Sequence, residues 1–377
     1  MSGLLPDVDP EGLLEYSVVF TDRALNHMSQ KFQGVMRDIS RILKHVYNAD
    51  AVAVVPGGGT FGMEAVARQF ANDERCLVIR NGWFSFRWSQ ILEMGKISDD
   101  VVVMQASQIE DSVQAPFAPA PIEAVVAAIK EHKPSMVFAP HVETASGMIL
   151  PDSYLKAVAE AAAEVGALFV LDCIASGTLW VDMKEVDVDV LLSAPQKGWS
   201  SSPCAAQVML SDKALARMSE TTSSSFACDL NKWLDIMGAY ENGGHAYHAT
   251  MPTDALAQFR DTMLETEAYG FEKVKTEQQQ LGDSVRAMLE SKGVKSVAAE
   301  GFKAPGVVVS YTLDDAMHNG SKFLQAGLQT AAGVPLQCGE RDDFKTFRIG
   351  LFGLEKLHDP DQTVANLSKA LDKVLAE

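Results

Sequence analysis

Val188-Asp189-Val190-Leu191-Leu192-Ser193-Ala194-Pro195-Gln196-Lys197-Gly198-Trp199 joins a short apolar run to a lone lysine. Val188–Leu192 reads as a buried strand that ends in small residues, with Gln-Lys-Gly following. Lysine is mostly a solvated surface residue. One placed just past the C-terminal end of such a strand reaches the crevice where open α/β sheets bind ligands. Partly desolvated there, its pKa falls and the amine can condense with a carbonyl. Upstream, Leu168-Phe169-Val170-Leu171-Asp172 is another buried strand, and it ends in a carboxylate. Asp172 is either a helix cap or salt-bridge partner, or the acidic member of a reactive pair with Lys197.

Working outward, strand-like runs recur at Ala51–Val55, Cys76–Ile79, Val101–Met104, Met136–Ala139 and Leu168–Leu171. Helical stretches lie between several of them, such as Pro121–Ile129 and Tyr154–Val165, and Met28–Val46 has apolar residues at helical spacing. This alternation predicts an α/β fold with a mainly parallel sheet covered on both faces. A long amphipathic helical stretch runs from Asp254 to about Lys292. After it comes a second α/β unit: strand Val307–Tyr311, helix Ser321–Ala331, strand Thr346–Ile349 and a closing helix from Asp361. The expected organisation is an N-terminal arm (1–25), a large domain (26–253), and a connecting helix with a smaller C-terminal α/β domain (254–377). A ligand would sit between the two domains.

Composition narrows the function classes. Fifty acidic against 32 basic residues give a net charge of −18, which argues against nucleic acid or an anionic membrane as partner. No apolar run approaches a membrane span, and the first 25 residues show no secretory signal. The five cysteines (Cys76, Cys173, Cys204, Cys228, Cys338) are odd in number, widely spaced and free of any Cys-x-x-Cys pair. Neither a disulfide framework nor a zinc site is expected, and a cytoplasmic location fits.

Val54-Val55-Pro56-Gly57-Gly58-Gly59-Thr60-Phe61-Gly62-Met63-Glu64 is a strand, a glycine-rich turn and a helix start. Beyond marking a tight turn, its backbone N–H groups and helix dipole make an anion site suited to a phosphate. Gly57, Gly59 and Gly62 also satisfy G-x-G-x-x-G, but the acid a dinucleotide needs at the tip of the second strand is replaced by Arg80-Asn81-Gly82. No Gly-Lys-Ser/Thr follows, which excludes a P-loop. A phosphate loop, a Schiff-base lysine and a carboxylate for a pyridinium nitrogen are together what pyridoxal 5′-phosphate (PLP) needs. Four segments suit that cofactor. Trp83-Phe84 offers a ring to stack on pyridine, and Glu143-Thr144-Ala145-Ser146 offers hydroxyls for its phenolic oxygen. Tyr247-His248-Ala249-Thr250 offers further donors, and Arg348 ends a strand where it can clamp a carboxylate.

These motifs in this order resemble the class V aminotransferases of PLP fold type I, nearest the alanine–glyoxylate and serine–glyoxylate aminotransferases. The likeness runs from about Asn26 to the C-terminus. It rests on Gly57–Thr60 with Glu64-Ala65, Asn81-Gly82, Glu143-Thr144 with Gly147, and Asp172 with Ala175-Ser176. Ser193 with Gln196-Lys197, Tyr247-His248 with Thr250 and Pro252, and Arg348-Ile349-Gly350 complete the set. The resemblance implies that Lys197 holds PLP and shuttles a proton, while Asp172 pairs with the pyridine nitrogen. It also implies that Thr144 contacts the phenolic oxygen and that Phe84 (or Trp83) stacks on the ring. Gly58, Gly59, Thr60 and Gln196 would bind the phosphate, and Arg348 the substrate α-carboxylate. Tyr247 and Thr250 would reach the phosphate of a neighbouring subunit, so a homodimer with shared active sites is implied. This chain departs from the pattern at Gly58 and Thr60, where relatives carry Ser and His. It also has Tyr16-Ser17-Val18-Val19-Phe20-Thr21-Asp22-Arg23 in place of an N-terminal Gly-Pro-Gly-Pro.

The expected activity is ping-pong transfer of an amino group from a small amino acid of alanine or serine type to glyoxylate or pyruvate. Two alternatives stand beside it. One is a PLP lyase or desulfurase with Cys338 as nucleophile, although Glu340, Asp342 and Asp343 crowd that thiol with negative charge. The other is a nicotinamide dehydrogenase, which lacks its acidic residue.

Overall fold

The protein is described by a computed structural model that covers residues 13–375. Residues 1–12 of the expected N-terminal arm lie outside the described residues. The expected strands form a seven-stranded sheet in the order Ala51–Pro56, Ala205–Leu210, Val190–Ser193, Leu168–Asp172, Met136–Pro140, Cys76–Arg80, Val101–Gln105. Every neighbouring pair is parallel except those made by Ala205–Leu210, which runs antiparallel to both its partners. That strand is absent from the sequence reading. Its Ala-Ala-Gln start has little β-propensity, and two flanking strands impose the conformation.

Continuous apolar strands belong in a sheet covered on both faces, and Leu168–Asp172 and Met136–Pro140 are buried at every position. The helices Gln30–Tyr47, Gly59–Phe70, Trp83–Met94, Ile122–His132 and Asp152–Glu164 supply the cover. Their starts are chemically marked. The Ser29 hydroxyl accepts from the Phe32 amide, and Asn48 stops the same helix at φ 53°. The strand before Lys197 begins at Val190, two residues later than its apolar run suggests. Asp187 is left-handed at φ 63°, and the buried Asp189 carboxylate accepts from the Phe169 amide at 2.8 Å.

The long helix expected from Asp254 to Lys292 is two helices, Thr253–Tyr269 and Phe271–Ser291, because Gly270 at φ 107° breaks the ladder between them. The expected helix Ser321–Ala331 spans only Ser321–Gln325. Gly327 at φ 85° follows it, and Ala331–Ala332 pairs with Thr346–Gly350 instead. With Val307–Tyr311, these strands form a second, antiparallel sheet of three.

One core packs around the large sheet, and a second lies under the small one, closed by the helix Pro360–Leu375. A third cluster, including Phe117, Val142, Ala145, Val307 and Tyr311, joins loops at the end of the large sheet to the small sheet. In the large sheet Asp172 is level with Pro140 on one side and Leu192 on the other. The carboxyl ends of three adjacent strands therefore open onto one place, as expected for ligand sites in open α/β sheets.

Candidate active site

A cavity of about 190 Å³ lies at those strand ends. It is lined by Gly59 and Thr60 from the glycine turn, Phe84 and Arg87 from the helix Trp83–Met94, and Thr144, Asp172, Gln196 and Lys197. The three strand-end loops are held tightly against one another. A Cβ on Gly198 would lie 1.9 Å from the carbonyl oxygen of Gly177, so the lysine loop rests directly on the loop that follows Asp172. Gly62 meets the antiparallel strand, where a Cβ would lie 2.5 Å from that of Ala206. In Gly57-Gly58-Gly59, the first residue takes φ 120° and only the last meets a neighbouring loop, at Ile174.

Glu143 organises the opposite wall. Fully buried, its carboxylate accepts from the amides of Phe84 (3.2 Å), Ser85 (2.8 Å) and Ala145 (2.9 Å) and from the Ser85 hydroxyl (2.6 Å). A negative charge at the first turn of the helix Trp83–Met94 meets its unpaired amides and dipole. The same contacts tie the Phe84 ring to the Thr144 loop.

Burial raises the Asp172 carboxyl to about 6, helped by Glu143 and opposed by the Ile174 amide, Arg87 and Lys197. The Lys197 ammonium is lowered from its ordinary value, first by burial and then by Arg348 and Arg87, with Asp172 opposing. Lys197 Nζ lies 5.1 Å from the centre of the Phe352 ring. An amine in this setting is more readily neutral, and so nucleophilic, than a solvated one.

Of the residues singled out in the sequence, Gly59, Thr60, Phe84, Thr144, Asp172, Gln196 and Lys197 line this cavity, and Gly58 is the adjoining helix cap. Arg348 stands at its edge. Its guanidinium lies 5.6 Å from the Phe84 ring centre and is anchored by Nε donating to the Ala332 carbonyl at 2.8 Å. Trp83 packs in the third cluster instead. Tyr247 and Thr250 do not line the cavity: both are exposed and bonded to each other at 3.2 Å. Cys338 is buried with Sγ 3.5 Å from the Arg80 carbonyl, and burial beside Glu143 and Glu340 pushes its thiol up to about 12. That is the opposite of what a desulfurase nucleophile needs. Arg80 is engaged by Ser89 and the Gln337 carbonyl.

Sequence reading passed over Arg87 and the capping role of Glu143. Arg87 lies one turn beyond Phe84, and no apolar or glycine pattern marks it. Among the described residues no group of three or more His, Cys, Asp or Glu is placed to hold a metal ion, and no helix is long and apolar enough to cross a membrane.

The family model for class V aminotransferases matches residues 13–329. The chain is 24% identical over 359 residues to the soluble hydrogenase, small subunit, of Synechococcus sp. (strain PCC 6716), covering 94% of this chain and 87% of that protein. It is 26% identical over 347 residues to the L-aspartate–glyoxylate aminotransferase of Paracoccus denitrificans (strain Pd 1222), covering 87% and 81%. The crystal structure of an alanine–glyoxylate aminotransferase from Nostoc sp. has a similar fold. The TM-score is 0.78 at 21% identity, over 93% of this chain and 89% of that one. Since the family match spans most of the sequence and the architecture agrees, the chain belongs to the class V aminotransferases of PLP fold type I, with pyridoxal 5′-phosphate as its cofactor.

Proposed function

We propose that this aminotransferase moves an amino group from a small amino acid, of alanine or serine type, to a 2-oxo acid such as glyoxylate or pyruvate, in a ping-pong cycle. One observation carries this reading: Lys197 and Asp172 share a single cavity with the glycine turn. Glyoxylate appears in the names of both the Paracoccus and the Nostoc proteins.

The residues present fit the cofactor. Gln196 Oε1 is buried without a partner at the wall of the cavity, so its amide has capacity for a polar ligand. The amides of Gly59 and Thr60 open the helix Gly59–Phe70 toward the same space. When bound, PLP supplies an aldehyde that accepts the amino group and a ring that accepts electrons. Lys197, whose ammonium burial lowers from its ordinary pKa, would attach the cofactor and hold a proton on Nζ. Asp172 would pair with the pyridine nitrogen and keep it protonated. Phe84 would stack on the ring, Thr144 would contact the phenolic oxygen, and Gly58, Gly59, Thr60 and Gln196 would hold the phosphate. Arg348 clamps the substrate carboxylate with its fork of donors.

The same reading divides the chain into an arm (1–25), a large cofactor domain (26–253) and a linking helix pair with a small domain (254–377). It makes the enzyme a homodimer in which Tyr247 and Thr250 complete the partner's site. The exposure of Tyr247, Phe226 and Phe61 and of Leu13, Leu14, Tyr16 and Val18 near the N-terminus supports an assembly that covers them. Five unpaired, buried cysteines support a reducing compartment such as the cytoplasm.

The test is spectroscopic and chemical. Protein made with ample cofactor should show a visible band that Lys197→Ala abolishes, and alanine or serine should be consumed one for one with glyoxylate or pyruvate. Release of ammonia without use of an oxo acid would indicate a lyase instead.

A further inference from the structure

Among the described residues Arg87 is the one guanidinium that lines the cavity, and the roles proposed above leave it unused. It crosses the Phe84 ring, Cζ to ring centre 4.6 Å, and Nη1 donates to Thr60 Oγ1 at 3.2 Å. Thr60 is the second residue of the helix that begins in the glycine turn. The guanidinium therefore sits beside the first turn of that helix and lines the same cavity as Gly59 and Thr60. Its hydrogen bond is to a neutral hydroxyl, and among the described residues no carboxylate pairs with it within 4 Å.

A phosphate dianion in a partly buried cavity needs a compensating charge. A helix N-terminus supplies only about half a positive charge. Gly58 offers no side chain: it makes no side-chain cap, and a Cβ there would meet nothing within 4 Å. Lys197 is committed to the carbonyl, and Arg348 is tied to Ala332 at the cavity's edge. We infer that Arg87 is a cofactor-binding residue whose guanidinium pairs with the phosphate monoester of PLP at the glycine turn, the side-chain charge that Gly58 does not provide. The inference rests on PLP being the cofactor.

The test compares PLP with pyridoxal, which shares the ring and aldehyde but has no phosphate. Apo-protein is titrated with each, and the dissociation constant is read from tryptophan quenching and the visible band. Arg87→Gln should weaken PLP binding roughly 10- to 100-fold, the loss of one charge-assisted pair, and leave pyridoxal binding within about twofold of wild type. Inorganic phosphate should compete with PLP in the wild type and less so in the variant. Equal weakening of PLP and pyridoxal would reduce Arg87 to a packing role on Phe84. Unchanged PLP affinity with a raised KM for dicarboxylic donors would assign it to the substrate; either result overturns the inference. If Arg87→Gln does not fold, Arg87→Lys carries the comparison: it keeps the charge but loses the fork, and should weaken PLP selectively by several-fold. If the wild type binds neither PLP nor pyridoxal, the cofactor assignment fails, and Arg87 fails with it for a separate reason.

Discussion

Asp172 shows how burial and chemistry pull on one carboxyl. Burial raises its folded pKa to about 6 from an ordinary 3.8. Between those values the folded apo-protein keeps a proton that the unfolded chain has released, so the group's contribution is greatest at low pH. It is lost as pH rises through about 6, by up to about 3 kcal/mol. Denaturant titrations of apo-protein from pH 4 to 7 should show this fall in wild type against a flatter profile in Asp172→Asn. A protonated pyridine nitrogen beside Asp172 favours the ionised carboxylate. PLP affinity should therefore rise with pH over the same window in wild type, and that rise should vanish in Asp172→Asn. An identical pH profile in both proteins would remove Asp172 from the cofactor.

At the scale of elements, the site depends on loops that touch with no room for a methyl group. Gly198→Ala places a Cβ against a backbone oxygen, which cannot give way as a side chain can. It should cost at least about 3 kcal/mol and displace Lys197. Gly34→Ala, in the helix Gln30–Tyr47 with nothing within 4 Å of the new Cβ, should instead stabilise by about 1 kcal/mol. Thermal melts of the two variants check this contrast. Glu143 is the electrostatic equivalent of such a contact. Glu143→Gln turns an acceptor of four hydrogen bonds into a group whose amide nitrogen faces donors, and should cost about 2–4 kcal/mol. As a positioning residue it should also lower PLP affinity through Phe84, whereas Glu143→Asp should recover part of the stability.

Across the whole molecule, Arg286 ties the small sheet to the active-site loops. Buried on the helix Phe271–Ser291, its Nη2 donates to the carbonyls of Gly147 (3.4 Å), Ala304 (2.5 Å) and Val307 (3.1 Å). Arg286→Met leaves those carbonyls without this donor and should cost about 3 kcal/mol. The same variant should raise the KM for the amino donor, because Arg348 lies on the sheet that Arg286 holds in place. Urea unfolding and steady-state kinetics test the two halves. If the dimer is as proposed, mixing inactive Lys197→Ala with inactive Tyr247→Ala should restore about a quarter of wild-type activity. Random pairing makes half the dimers mixed, and each mixed dimer holds one intact site. No recovery would mean that Tyr247 serves its own subunit, and a Tyr247→Ala variant that stays active alone would mean that it serves neither site.

Several features were legible in the chain because they depend on local pattern. Buried strands read as apolar runs, the glycine turn and strand-end residues point to a ligand crevice, and Asp172 ends one strand while Lys197 lies in the loop just past the end of its neighbour. Ala205–Leu210 was invisible because its conformation comes from its neighbours, and the break at Gly270 because a single glycine inside a helical pattern is usually tolerated. Arg87 and Glu143 belong to the same class. Their meaning lies in what the fold brings to them: Thr60 and the Phe84 ring for one, and the first turn of a distant helix for the other. The sequence by itself determined the chemistry on offer, because a lysine, a carboxylate and a phosphate turn are properties of residue types and short spacings. Only the tertiary structure decided which groups face one cavity and how far burial shifts them, since both depend on contacts between segments far apart in the chain.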